Sequence, residues 1–258
     1  GSVVFNQSST FINAVNAETS RSFVNPSTYR DTPDTSTLSF RAFEALTGAG
    51  MDDSFQFGTF APTGAQVVTV TGGGGNDELI ANNEQTDFVI SLTDGGSVTL
   101  RDTATPVANT TMSQFRDIDS LSGGAAGDTF TFTDSGVLTG EIDGGGGSNT
   151  LIGDSNGNVF TVQPLAVGPA ATNQGTLDGG VKLGDGFRSI QNLIGGVGID
   201  TFNVTLGGLS GSIDAGGEAD TITIGANRTV GGSISGGTGN DVLTFNNQSQ
   251  VTGGVSGD

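Results

Sequence analysis

Seven residues stand out because each closes a glycine-rich stretch and carries a side-chain oxygen: Asp53, Asp77, Asp128, Asn149, Asp200, Asp220 and Asp241. Three of the stretches, Gly72–Ile80, Gly195–Asn203 and Gly236–Thr244, fit one nonapeptide, G-G-x-G-x-D-x-U-x with U large and apolar. A carboxylate beside the carbonyls of a tight turn offers hard oxygen donors, which is cation chemistry. Asp77, Asp128, Asp200 and Asp241 are therefore the candidate metal ligands. A hard cation takes about six to eight oxygens, and one Asp per turn supplies few of them. The other reading is structural: glycine makes the corner while Asp or Asn hydrogen-bonds its own turn. On either reading Asp200, Asp220 and Asp241 stand in one column, where their charges repel and cations in the medium give relief.

Composition narrows the partners. The formal net charge is −19 from 27 acidic and 8 basic residues, too few cations to neutralise a phosphate backbone, so no nucleic-acid partner is expected. No apolar run reaches the roughly 20 residues of a membrane span, so no membrane insertion is expected. The chain has no His, no Cys and a single Lys, Lys182. Its acids mostly follow the repeat, whereas catalytic residues should break one; no enzyme is expected. No cofactor is required, and calcium is the candidate ion.

What must position the acids is a repeat. Successive gaps between the seven positions are 24, 51, 21, 51, 20 and 21 residues, as if one less regular unit were skipped twice. Two residues past each position stands a large apolar side chain: Phe55, Leu79, Phe130, Leu151, Phe202, Ile222 and Leu243. Polar residues separate these from the next inward position, which is the period-2 pattern of a strand with one buried face. Short strands that return at fixed spacing with Gly/Asn/Asp turns predict an all-β fold: a single-stranded, right-handed parallel β-helix of about nine or more coils of 20–26 residues. Equivalent residues of successive coils would then stack about 4.8 Å apart. A coil cannot bury its inner face alone, so each depends on its neighbours.

A longer period lies above the coil. "FRAFEALTGAGMDDSFQF", "FRDIDSLSGGAAGDTFTF" and "FRSIQNLIGGVGIDTFNV" begin at Phe40, Phe115 and Phe187. They divide one continuous β-solenoid into repeats 40–114, 115–186 and 187–258. Residues 1–39 are divergent N-terminal coils, with "STFINAV" and "RSFVNPSTY" as their strands. The irregular units lie near 82–114 and 154–186, opening with Phe88 and Phe160, and "DTATPVANTT" and "PLAVGPAATNQGTLDGG" are expected to protrude as loops. The Phe-Arg residues Arg41, Arg116 and Arg188 either face acidic polysaccharide or pair on the exterior with carboxylates such as Glu44 or Asp119; the pairing is the reading adopted. The opening Gly-Ser resembles a cloning scar, and the chain reads as a fragment of something longer.

The nonapeptides resemble the calcium-binding RTX repeats of bacterial secreted proteins, in which turn carbonyls and the Asp hold Ca²⁺ between tandem copies. Here the copies are isolated: Ala126 replaces a glycine in the copy at Gly123, and Asn149 replaces the Asp in the copy at Gly144. Over roughly residues 40–258 the repeat style resembles large exported bacterial adhesins of the filamentous-haemagglutinin-like and RTX-like kind. That resemblance implies secretion to the bacterial cell surface, by two-partner or type I export, and a part in attachment or biofilm. The expected function is a structural stalk. Its partners would be other modules of the same polypeptide, surface carbohydrate, and further copies meeting end to end. The alternatives are an RTX-type calcium-binding module that folds on secretion and a carbohydrate-active β-helix enzyme.

Overall fold

The computed structural model describes residues 2–4, 11–14, 38–40, 45–48, 50, 52–57, 68–101, 110–165 and 172–257. The protein is all-β. Its described strands form two twelve-stranded sheets and a two-stranded one, and most neighbouring strands run parallel. Among the described residues no helix is long and apolar enough to cross a membrane.

Period-2 patterning sets this arrangement. Thr129–Phe132, Thr201–Val204 and Thr221–Ile224 put Phe130/Phe132, Phe202/Val204 and Ile222/Ile224 inward, and all six are buried. Like residues then stack on like. Phe130 pairs with Phe88 on one side and Leu151 on the other. The rings of Phe88 and Phe130 lie 4.9 Å apart and 4° from parallel, and those of Phe160 and Phe202 lie 4.8 Å apart and 3° from parallel. This is the interstrand spacing that the repeat predicts.

The seven apolar positions nevertheless occupy three stacks. Phe55 and Leu79 stack with Leu121, Ile142 and Phe187. Phe130 and Leu151 stack with Phe88, Leu193 and Ile213, in the other twelve-stranded sheet. Phe202, Ile222 and Leu243 return to the first sheet, on Phe160. A glycine-rich turn marks a change of sheet without saying which way the chain crosses. Each gap of 51 residues spans a switch from one kind of crossing to the other and holds one of the irregular units.

The irregular units are antiparallel insertions, which corrects the expectation of a parallel winding throughout. Gln85–Leu92, Gly95–Arg101 and Thr110–Arg116 lie side by side as an antiparallel trio in one sheet. Val159–Val162, Gly175–Leu177 and Gly186–Arg188 repeat the device in the other. The chain at 175–180 is thus strand and a single 3₁₀ turn, Asp178–Gly180, where a loop was expected. Residues 102–109 and 166–171 lie outside the described residues. In both insertions a glycine faces a phenylalanine across the antiparallel pair: Gly96 opposite Phe115, and Gly175 opposite Phe187. A Cβ at either glycine would meet the ring Cζ at 3.0 Å and 2.9 Å respectively. The rings cover the strand where the glycines leave it bare.

Of the N-terminal strands, Phe11–Ala14 lies within "STFINAV" and pairs in parallel with Ser54–Phe57. "RSFVNPSTY", Arg41 and Glu44 lie outside the described residues. Arg188 does pair on the exterior, but with Glu141 and Asp143, the latter at 2.8 Å. Its in-register neighbour Asp143 lies on the adjacent strand, so pairing follows the ladder and not sequence proximity.

Candidate functional site

The carboxyl and amide side chains of the glycine-rich turns form three hydrogen-bonded ladders. In the first, Asp53 N–H donates to Asp77 Oδ1 at 2.8 Å, and Asp77 N–H to Asp119 Oδ2 at 2.7 Å. In the second, Thr86 N–H donates to Asp128 Oδ1 at 2.7 Å, Asp128 N–H to Asn149 Oδ1 at 2.8 Å, and Asn149 N–H to Gln191 Oε1 at 2.6 Å. In the third, Asn158 N–H donates to Asp200 Oδ1 at 2.6 Å, Asp200 N–H to Asp220 Oδ1 at 2.7 Å, and Asp220 N–H to Asp241 Oδ1 at 2.9 Å. Each side chain satisfies the turn N–H of the layer before it. A buried turn must find partners for such groups, and a side chain from the next layer supplies them.

Of the four candidate ligands, Asp200 and Asp241 share a ladder, with Asp220 between them, as the column reading expects. Asp77 and Asp128 stand in separate ladders. Bonds within the turn itself do occur, as between Gly124 N–H and Asp128 Oδ2 at 2.8 Å. The recurring partner is nonetheless the neighbouring layer. Among the described residues no group of three or more His, Cys, Asp or Glu is arranged to hold a metal ion.

At most of these turns the second atom of the side chain explains the glycine five residues earlier; Asp220, with Ala215 in that place, is the exception. A Cβ on Gly195 would stand 2.4 Å from Asp200 Oδ2 and 2.4 Å from the Ala215 carbonyl oxygen. At Gly72 the same construction meets Asp77 Oδ2 at 2.4 Å, and at Gly144 it meets Asn149 Nδ2 at 2.5 Å. This glycine is needed for space; the one after it, Gly196 with φ of 127°, is needed for its left-handed backbone. Gly195→Ala should therefore destabilise the fold by about 1–3 kcal/mol, the usual cost of overpacking a closed site. Urea unfolding measures it, and a change within a few tenths of a kcal/mol would show that the turn gives way freely.

At the Asn positions the second atom is a donor. Asn149 Nδ2 donates to the carbonyl of Ser189 at 2.9 Å and to that of Gly146 at 3.0 Å. At Asp77, Asp200 and Asp220 the corresponding Oδ2 is buried and has no hydrogen-bond partner. There an oxygen stands where Asn149 places a donor. Burial, with nearby carboxylates adding to it, pushes Asp77 and Asp220 up to about 6 despite their bonds to the ladder N–H groups. Burial also pushes Asp128 up to about 6 and raises Asp200. Chemically, these turns attract a proton or a cation.

Two ladder members, Asp119 and Gln191, lack a glycine cluster and are invisible to the motif. Their signal is position: each stands in the Phe-Arg segment, four residues after Phe115 or Phe187. Asp119 also accepts from Thr139 Oγ1 at 2.8 Å, so both its oxygens are used. The expected partnership of Asp119 with a Phe-Arg arginine is replaced by the ladder. No family model, no curated protein and no solved structure matches the chain.

Proposed function

We propose that the chain is one β-solenoid, wound from successive layers of the two large sheets, and serves as a stiff stalk segment of a large secreted or cell-surface bacterial adhesin. In-register stacking supports this reading, above all the Phe88–Phe130–Leu151–Leu193 column, in which each layer's apolar side chain is buried by the next. Such an assembly gains stability by adding layers and projects whatever is attached to it. Its role is mechanical, and its partners are other modules of the same polypeptide, surface carbohydrate, and further copies end to end. Small-angle scattering tests the shape. A rod gives a constant cross-section over most of its length, and a compact sphere would overturn the stalk reading.

A calcium-dependent module is the second reading. The partnerless Oδ2 atoms of Asp77, Asp200 and Asp220 favour it, because a bound cation relieves each of them. Millimolar calcium should then raise the melting temperature above that in chelator. Identical melting curves would remove this reading and leave the stalk intact.

A further inference from the structure

Lysine occurs once in the chain, at Lys182, and its side chain is mostly buried. Nζ forms an ion pair with Asp154 Oδ2, the lysine side chain being 14% exposed and the aspartate 1%. Apart from that ion pair, Asp154 Oδ2 has no hydrogen-bond partner. Asp154 Oδ1 accepts the N–H of Asn156 at 2.9 Å. Nζ also donates to the carbonyls of Asp134 at 2.9 Å and Thr133 at 3.4 Å.

Both backbones are fixed. Lys182 O accepts Leu138 N–H at 2.9 Å, and Gly184 N–H donates to Leu138 O at 2.9 Å, which clamps the lysine between two bonds to one residue. Asp154 N–H donates to Asn158 Oδ1 at 3.1 Å, and its carbonyl accepts from Asn158 Nδ2 at 3.1 Å. An amine source is therefore held against a buried carboxyl group by rigid neighbours. Fixed proximity of this kind replaces most of the entropy that a bimolecular condensation loses, and burial of the carboxyl group disfavours the reverse hydrolysis.

We propose that Lys182 Nζ and Asp154 Cγ condense into an intramolecular isopeptide bond. A proton passes from Nζ to the Asp154 carboxylate, turning the ion pair into an amine and an acid. The Nζ lone pair attacks Cγ and forms the C–N bond. The C–O bond to the protonated oxygen breaks, and that oxygen leaves with one further proton from Nζ as water. Amine and acid become amide and water; no electrons are transferred and no co-reactant is used. The bond closes the chain from 154 to 182 around Val159–Val162 and Gly175–Leu177, two strands of the second antiparallel insertion. A chain without cysteine can strap that insertion covalently in this way. The inference is independent of both readings of the function.

The test is the intact mass of the purified, denatured chain, followed by peptide mapping. The expected mass is lower than the sequence mass by one water, with trypsin unable to cut after Lys182 and the single peptide 117–188, which holds both Asp154 and Lys182, lighter than its sequence by one water and closed into an internal loop. Lys182→Arg and Asp154→Ala should each restore their own sequence mass. A full sequence mass, with cleavage after Lys182, overturns the proposal. So does a lost water located as a succinimide at an Asp-Gly step such as Asp178–Gly179 with Lys182 still cleavable. Because the decisive reading is made on the unaltered chain, a variant that fails to fold does not blur it.

Discussion

Replacing Phe130 with alanine should cost about 3–5 kcal/mol, the usual penalty for removing a fully buried phenylalanine. Phe130 is 0% exposed, and its ring is stacked on Phe88, with Leu151 across the next strand. The cavity cannot be filled from either side, because both neighbours are held by ladders of their own. Thr131→Ala, one residue on and on the outer face, should change stability by well under about 1 kcal/mol. Urea unfolding of the two variants separates them. A loss below about 1 kcal/mol for Phe130→Ala would mean that the stack adds little.

A second effect belongs to the ladder carboxylates, and its sign is opposite. Asp220 is held near a pKa of about 6 by burial and by the charges of Asp200, Asp241 and Glu218. Its ordinary value in an unfolded chain is about 3.9. A raised folded-state value means that the native protein binds the proton more tightly. That contribution is complete below about pH 4 and is lost as pH climbs through about 6. The protein should therefore melt at a higher temperature near pH 5 than near pH 7.5, with Asp77 and Asp128 adding to the trend. Asp143, hydrogen-bonded to Gly145 and paired with Arg188, has a lowered value, so that contribution disappears in stronger acid.

Asp220→Asn should then stabilise the protein at pH 7.5 by about 1–2 kcal/mol, less than the raised pKa would convert to in full. Asparagine keeps the Oδ1 that accepts Asp200 N–H and places a donor where Oδ2 stands partnerless. Asn149 already works in this way, donating to Ser189 O. The variant should also flatten the rise in melting temperature between pH 7.5 and 5. Destabilisation at pH 7.5, with the pH dependence unchanged, would show that the buried oxygen is already compensated.

Much of the layered arrangement is legible in the sequence because one code repeats. A turn residue followed two and four positions later by apolar residues specifies a strand and its inward face, and Phe130 does lie against Leu151. The direction of crossing is not legible, because glycine and Asp make the same corner whether the chain enters one sheet or the other. Hence seven similar positions divide among three stacks. The antiparallel trios are hidden for a related reason: alternation marks a strand but not its direction. Their real signature is the pairing of Gly96 with Phe115 and of Gly175 with Phe187, residues 19 and 12 apart in sequence. Of the site, the alignment of Asp200 with Asp220 and Asp241 is foreseeable from equal spacing. The contributions of Asp119 and Gln191 depend on tertiary register alone.

Register is most directly tested with cysteines, since the chain has none of its own. Thr131 and Ile152 are in-register partners on adjacent parallel strands, both partly exposed, whereas Thr131 and Thr223 belong to different sheets. Neighbouring strands lie about 4.8 Å apart, within disulfide range. The Thr131→Cys/Ile152→Cys variant should cross-link rapidly under mild oxidation while Thr131→Cys/Thr223→Cys stays reduced within each molecule. Failure of the first pair, or equal cross-linking of the second, would contradict the stacked layers on which the ladders and the stalk both depend.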